Sequence, residues 1–250
     1  MKNTFATLLL ILLNLGLAAA IYFLHLYDLI LVAFGLVLLS KWRMFAVNRH
    51  HWVANIRANL LDITVGVSTV ALINSPYYFT QKYTPIALAV SYAVWLLLIK
   101  PLKSQYAHGL QAIYGLFLGL SAISHYQDIV LSGWMVIILS WIVAVIAGRH
   151  YLVDIISDLK ERRLVLMTWG YFIGMLSWIF WVWSISYVLP KTLLVVPVSA
   201  VVACIVAYFA GQILRSRSEK TLDKGTVLQN LIFMCGIISV VIMFTPWEPF

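Results

Sequence analysis

The chain has 250 residues, of which 63% are hydrophobic and only 10% are charged, and its mean hydropathy is +0.95. A soluble globular domain carries about 25% charged residues, so this composition excludes an ordinary soluble protein. The formal net charge of +8 comes from short Lys and Arg clusters between apolar runs and forms no basic face, which argues against nucleic acid as a partner.

Long apolar stretches predict an all-α fold, a polytopic bundle of about nine transmembrane helices in a single domain, with no soluble domain. Several stretches reach the roughly 20 residues needed to cross a bilayer. Residues 5–40 contain no Lys or Arg and would form one helix of about 54 Å, so we expect a tight hairpin at His25 to Asp28. The predicted spans are residues 4–22, 25–40, 59–78, 84–99, 106–124, 129–147, 164–188, 191–213 and 226–246.

The distribution of basic residues predicts a cytoplasmic N-terminus. With that orientation, fifteen of the 17 Lys and Arg residues fall on the cytoplasmic side, and only Lys82 and Lys191 lie outside. Short loops are where the positive-inside rule is most reliable. We therefore expect a multi-pass protein of the cytoplasmic (inner) membrane.

Two glycine pairs mark candidate contacts between predicted helices. Gly115 and Gly119 lie in the fifth predicted span, and Gly170 and Gly174 lie in the seventh. A four-residue spacing of small residues lets helix backbones approach closely in lipid.

Charged residues are nearly absent from the centres of the predicted spans. Asp28, Asp62 and Asp128 each lie about one turn or less from a predicted helix end. Ion-coupled transporters and pumps usually hold an ionisable group at mid-membrane, so this pattern disfavours them. A transporter of small solutes would instead use polar span residues, here Asn14, Ser68, Thr69 and Asn74.

The loop after the second predicted span is strongly cationic. Arg49, His50, His51 and Arg57 form a group suited to a lipid headgroup or a phosphate, because guanidinium binds phosphate oxygens bidentately. The alternative is that these residues only set topology and attract anionic lipid.

The loop after the sixth predicted span, GRHYLVDIISDLKERR, carries the main acidic pattern. As a helix it places His150, Asp154 and Asp158 on one face. Imidazole and carboxylates on one face are suited to a divalent cation, or to a pyrophosphate held through that cation. The sequence indicates no firm cofactor, and Mg²⁺ is the candidate. The alternative is an interfacial amphipathic helix whose apolar residues are buried at the headgroup boundary.

Gly148, Arg149, Asp154, Ile155 and Asp158 resemble the second aspartate-rich motif of UbiA-type membrane prenyltransferases. The predicted nine spans, the inside N-terminus and the polar loops after spans 2 and 6 are similar to that family too. The resemblance implies that Asp154 and Asp158 hold magnesium on an isoprenyl diphosphate. The family's first motif has no counterpart here, because residues 41–57 contain no acidic residue.

Three functional interpretations follow from the sequence. We favour a non-catalytic membrane component that binds membrane lipids or a membrane protein partner, because no complete catalytic constellation is visible in the sequence. The second is a Mg²⁺-dependent, prenyltransferase-like enzyme acting on an isoprenoid or lipid diphosphate. The third is a small-solute transporter.

Overall fold

The computed structural model describes residues 2–46, 48–78, 83–127, 129–183, 186–188 and 195–245. Lys82, Asp128 and Lys191 lie outside the described residues, as do the side chains of residues 2–4, 43, 77 and 188. The described part is almost entirely α-helical, which confirms the all-α fold class in its main feature.

The described residues contain nine α-helices. Their bounds are α1 Lys2–Leu26, α2 Ile30–Leu39, α3 Trp52–Ile73, α4 Tyr83–Val94, α5 Gln105–Tyr126, α6 Gly133–Leu152, α7 Leu159–Trp183, α8 Val198–Ser218 and α9 Lys224–Met243. Seven of the helical segments are long and apolar enough to cross a membrane, namely those built on α1, α3 and α5 to α9. The two remaining apolar segments, Ile30–Leu39 and Tyr83–Ile99, are shorter.

The chain divides into two compact units, Met1–Lys103 and Ser104–Phe250. The single transmembrane domain stays a prediction. In the first unit, α1 packs against α2 and α4, and α3 packs against the same two helices. Gly66 allows the close approach of three helices, because a Cβ there would lie 2.6 Å from a Val37 methyl on α2 and 3.0 Å from the Tyr92 hydroxyl on α4.

The predicted hairpin at His25 to Asp28 is confirmed by a helix end followed by a new helix. α1 ends at Leu26, and Asp28 adopts a left-handed conformation with φ of 54°. The N–H groups of Asp28 and Leu29 donate to the carbonyls of His25 and Leu24 at 3.1 and 2.9 Å. These two hydrogen bonds satisfy the last carbonyls of α1. Asp is one of the few non-glycine residues that tolerate the left-handed conformation.

In the second unit, α6 packs against both α5 and α7, and α8 packs against both α5 and α9. Three glycines of the two predicted pairs lie at tight helix contacts. A Cβ on Gly119 would lie 2.5 Å from Val143 on α6, and a Cβ on Gly170 would lie 2.7 Å from Trp141 on α6. A Cβ on Gly174 would lie 3.1 Å from the Ile137 carbonyl oxygen. The prediction of close helix contacts is confirmed at these three positions.

The segment between α7 and α8 differs from the predicted continuous helices. α7 ends at Trp183. Strand β1, Ser186–Val188, pairs antiparallel with strand β2, Val195–Pro197, with Tyr187 opposite Val196. Strands β1 and β2 are rich in valine, whose β-branched side chain favours extended backbone. The seventh span predicted at 164–188 therefore ends five residues early, and the eighth, predicted from 191, begins at Val198.

Candidate functional site

A cavity of about 250 Å³ lies in the second unit, among helices α5, α6, α7 and α8. Its walls are mainly apolar, with Leu116 from α5, Leu152 from α6, Trp169 from α7 and Leu214 from α8. Small residues such as Ala147 and Ala207 also line it, and their short side chains leave the space between the helices open. The arrangement is suited to an apolar chain or ring.

One end of the cavity is polar. α5 begins at Gln105 and α8 ends at Ser218, so the first turn of one helix lies beside the last turn of the other. The Arg215 guanidinium lies 3.9 Å from the centroid of the Tyr106 ring, which is a cation–π contact. Its Nε donates to Glu219 at 2.7 Å. These two contacts hold a positively charged fork at the mouth of the cavity.

Tyr151 fixes the same end from α6. Its hydroxyl donates to the Gly211 carbonyl on α8 at 3.1 Å. A Cβ on Gly211 would lie 3.1 Å from that hydroxyl, so glycine leaves room for the tyrosine ring. The polar mouth is therefore built by three helices.

Two histidines, His108 on α5 and His150 on α6, form a histidine pair with ring centroids 5.1 Å apart. Nδ1 of His108 is hydrogen-bonded to Oδ2 of Asp154. Nε2 of His150 lies 2.6 Å from Oε1 of Gln111. Each imidazole therefore has one nitrogen held by an oxygen acceptor.

The structure brings together part of the predicted metal site. Asp154 and His150 both lie beside His108, whereas Asp158 has a different role. Its carboxylate accepts the backbone N–H groups of Lys160 and Glu161 at 3.1 and 3.3 Å, which makes it the N-cap of α7. The described residues contain no group of three His, Cys, Asp or Glu side chains placed to hold a metal.

The loop 148–163 is not the continuous helix on which that prediction rested. α6 ends at Leu152. The Leu152 carbonyl accepts the N–H groups of Ile155 and Ile156 at 3.2 and 3.0 Å. Leu152, Ile156 and Leu166 form a buried hydrophobic cluster. The chain turns here because the turn lets these apolar residues be buried inside the protein. A continuous helix at the headgroup boundary would not bury them in this way.

The predicted phosphate-binding residues lie in the first unit and are exposed. Arg49, His50 and His51 form a short 3₁₀ turn before α3, and Arg57 lies on the second turn of α3. The rings of His50 and His51 are 3.9 Å apart between centroids. Their exposure is compatible with an anionic surface as a partner, and the predicted role stays a prediction.

The polar span residues proposed for a transporter bond largely to their own helix. Thr69 donates to the Val65 carbonyl and Asn74 to the Val70 carbonyl, both at 2.8 Å. Asn74 also accepts from His25 of α1, with Nδ1 3.0 Å from Oδ1. Ser68 is buried and Asn14 is half-buried.

A buried group of charges in the first unit was missed by the sequence reasoning. Asp62 is 5% exposed. Its Oδ2 forms ion pairs with the ammonium groups of Lys41 at 2.5 Å and Lys100 at 2.7 Å. Its Oδ1 accepts from Nε1 of Trp95 at 3.0 Å. These four residues are called the charge cluster. Burial lowers the pKa of Lys41, while Asp62 opposes that shift.

Helix geometry explains how two members of the charge cluster reach one carboxylate. Residues Trp95–Ile99 form a π-helical turn, in which the N–H of Lys100 donates to the Trp95 carbonyl at 2.9 Å. Residues five apart on a regular α-helix point about 140° away from each other. The wider turn reduces that angle, so Trp95 and Lys100 both face Asp62.

A usable signal for the charge cluster was present in the sequence. Asp62 is a lone acidic residue in a predicted apolar segment, and Lys41 and Lys100 directly follow the spans predicted to lie before and after it. Consecutive antiparallel spans place these positions at the same membrane face. The lone carboxylate therefore had two natural partners.

No known protein family, curated protein or solved structure matches this chain. The geometry of its sites is the basis for the function proposed below.

Proposed function

We propose that this chain is a multi-pass protein of the cytoplasmic membrane that binds an anionic lipid-like molecule in the cavity of its second unit. The observation that carries the proposal is an apolar cavity whose mouth holds the stacked guanidinium of Arg215. An apolar interior favours a hydrocarbon chain. A guanidinium favours a phosphate or carboxylate headgroup.

Nine spans and a cytoplasmic N-terminus are part of this proposal. Seven long apolar segments and two shorter ones support nine crossings. The ten residues of α2 extend about 15 Å, roughly half of the hydrocarbon thickness. The predicted second span, residues 25–40, therefore also includes the turn that precedes α2, and Lys41 follows it on the cytoplasmic side. In this orientation the mouth of the cavity faces the cytoplasmic leaflet, where anionic headgroups attract basic residues.

The cavity volume favours a ligand with one chain. Pockets that enclose whole drug-sized ligands measure roughly 300–1,000 Å³, and this cavity measures about 250 Å³. Two acyl chains need more space than one such pocket gives. We therefore expect a single-chain amphiphile, such as a lysophospholipid, a fatty acid or an isoprenoid phosphate.

The experiment measures lipid binding to the purified protein in a neutral maltoside detergent. Lysophosphatidylglycerol is the anionic probe, and lysophosphatidylcholine, with the same chain, is the zwitterionic one. Arg215→Gln is expected to weaken binding of the anionic probe about tenfold or more, because a hydrogen bond to a charged group contributes about 1.5–3 kcal/mol. Ala207→Phe is expected to weaken both probes, because the added ring occupies the cavity.

Arg217→Gln is the matched control. Arg217 lies two residues away on the same helix end, its side chain is 62% exposed, and it pairs with Glu161 at 2.8 Å. Its removal is expected to leave both affinities unchanged. Equal binding by wild type, Arg215→Gln and Ala207→Phe would overturn the proposal.

A further inference from the structure

The histidine pair of the second unit has the hydrogen bonding of metal-binding histidines. The carboxylate of Asp154 and the amide oxygen of Gln111 act as acceptors toward the ring nitrogens that they contact. The proton of each neutral ring therefore lies on Nδ1 of His108 and on Nε2 of His150. The lone pairs are left on Nε2 of His108 and on Nδ1 of His150.

This pattern is the usual arrangement around protein-bound metals. A metal-binding imidazole normally donates its second N–H to a carboxylate, an oxygen or a water, which fixes the ring and its tautomer. Here two rings from two packed helices are fixed in this way, and their centroids are 5.1 Å apart. A tetrahedral ion with Zn–N bonds of 2.0–2.1 Å holds two imidazole centroids about 5 Å apart.

We propose that His108 and His150 bind a transition-metal ion, with Zn²⁺ the preferred candidate, and that Asp154 positions His108 without contacting the metal. This goes beyond the proposed lipid binding and does not depend on it. Imidazole ligands suit zinc, copper and nickel better than magnesium. Two protein ligands leave the remaining coordination positions to water.

The site is accessible to an ion from solution. The side chains of His108 and Asp154 are 26% and 35% exposed. Both lie near the helix ends that carry the polar mouth, since Gln105 is one turn before His108 and Tyr151 is three residues before Asp154. The ion therefore does not have to pass the apolar core.

The inference reassigns the residues of the loop motif. In an aspartate-rich magnesium site, Asp154 and Asp158 would both be ligands. In the site proposed here, the histidines are the ligands, Asp154 is a positioning residue and Asp158 has no part, because its carboxylate caps α7.

Zinc titration of the purified full-length protein, detected by calorimetry, tests the site. The protein carries no polyhistidine tag and has His50→Gln and His51→Gln in its background, so that the exposed pair of the first unit contributes nothing. We expect one Zn²⁺ per chain. His108→Gln and His150→Gln are each expected to abolish this binding, and Asp154→Ala to weaken it 10–100-fold, as loss of an oriented partner does.

Two controls and a spectroscopic readout separate this site from structural effects. Asp158→Asn keeps the helix cap and is expected to keep full zinc affinity. His125→Gln alters a histidine of the same helix that bonds to the Ser121 carbonyl at 2.7 Å, and it is expected to leave zinc binding unchanged. Electron paramagnetic resonance of the Cu²⁺-loaded protein should show coupling to two imidazole nitrogens, and to one in Asp154→Ala if the His108 ring is released.

Several results would overturn the proposal. These are no zinc binding at neutral pH, retention of zinc by both histidine variants, or equal loss of affinity in Asp154→Ala and Asp158→Asn. The last result would favour the aspartate-rich magnesium site. Lipid affinity is measured separately, so failure of the zinc site leaves the proposed function standing.

Discussion

The two units treat polar groups inside an apolar protein in opposite ways. The first unit buries Asp62 and Lys41 of the charge cluster, and Asp62 also contacts the half-exposed Lys100. The second unit keeps Arg215 at a helix end and leaves an apolar cavity among its helices. In the first arrangement the charged groups pair with one another around a buried carboxylate, whereas in the second the guanidinium of Arg215, paired through Nε with Glu219, lies beside a space for another molecule.

In the first unit, helix dipoles offset the surplus positive charge of the charge cluster. Two ammonium groups and one carboxylate leave one surplus positive charge. Lys41 follows the C-terminal end of α2, and Lys100 is the C-cap of the π-helical turn after α4. Each helix C-terminus carries roughly half a negative charge. The charge cluster is therefore balanced by the chain itself, which favours a structural role in joining α2, α3 and α4.

The largest expected effect tests this structural role. Asp62→Asn keeps the shape of the side chain but leaves the buried ammonium group of Lys41 and the 40% exposed one of Lys100 without a carboxylate. Breaking a buried ion pair by removing one partner costs about 3–5 kcal/mol. We expect a corresponding fall in the free energy of unfolding, measured by denaturant titration in detergent at pH 7.

The same variant should show a defined pH dependence. Burial holds the pKa of Lys41 below its usual value of 10.5, and the loss of Asp62 lowers it further. The unfolded chain then binds more protons than the folded one, so the stability of Asp62→Asn should rise as the pH increases toward the usual lysine pKa of 10.5.

Asp28→Asn is the control for charge removal in the same unit. Asp28 is exposed and has φ of 54°, a conformation that Asn also tolerates. We expect a change within about 0.5 kcal/mol. If both variants were equally stable, the charge cluster would have no structural role.

The contrast between the units also reflects what a sequence can predict. The helical class and the hairpin before α2 follow from apolar length and charge spacing, which are local properties. The bounds of α5 and α9 were close to the predicted ones for the same reason. The sequence predicts a start of the third span at residue 59, whereas α3 begins at Trp52. Basic residues usually mark the end of a span, but here they occupy exposed turns of the helix.

The sites were harder to predict because they depend on packing between helices. The cavity depends on small residues of separate helices, such as Ala147 of α6 and Ala207 of α8, that line the same space. The charge cluster depends on a π-helical turn that hydropathy does not reveal. The loop pattern predicts Asp154 as a metal ligand, whereas its carboxylate contacts His108, 46 residues away in the chain, and a pattern within one loop does not identify such a partner.

The second largest effect is expected at the contact between α6 and α7 in the second unit. A Cβ on Gly170 would lie 2.7 Å from both Trp141 and Val145, so Gly170→Ala forces one of these side chains to move. Overpacking of this kind costs about 1–3 kcal/mol. Thermal unfolding followed by tryptophan fluorescence should show a lowered midpoint.

Gly236→Ala is the matched control on α9. A Cβ there meets nothing within 4 Å, and alanine is favoured over glycine in a helix interior by up to about 1 kcal/mol. The midpoint should stay the same or rise. A fall of equal size in both variants would show that the α6–α7 contact does not decide the effect.

The smallest effect concerns the charge at the boundary between α6 and α7, and it separates a capping role from a ligand role. Asp158→Ala removes the acceptor for the Lys160 and Glu161 N–H groups and should cost about 1 kcal/mol of stability. Asp158→Asn should cost little, because Asn caps helices about as well as Asp. Denaturant unfolding of the two variants gives this difference directly. If Asp158→Asn lost as much stability as Asp158→Ala, the negative charge and not the capping geometry would be the important property, and the acidic loop would again be a candidate for cation binding.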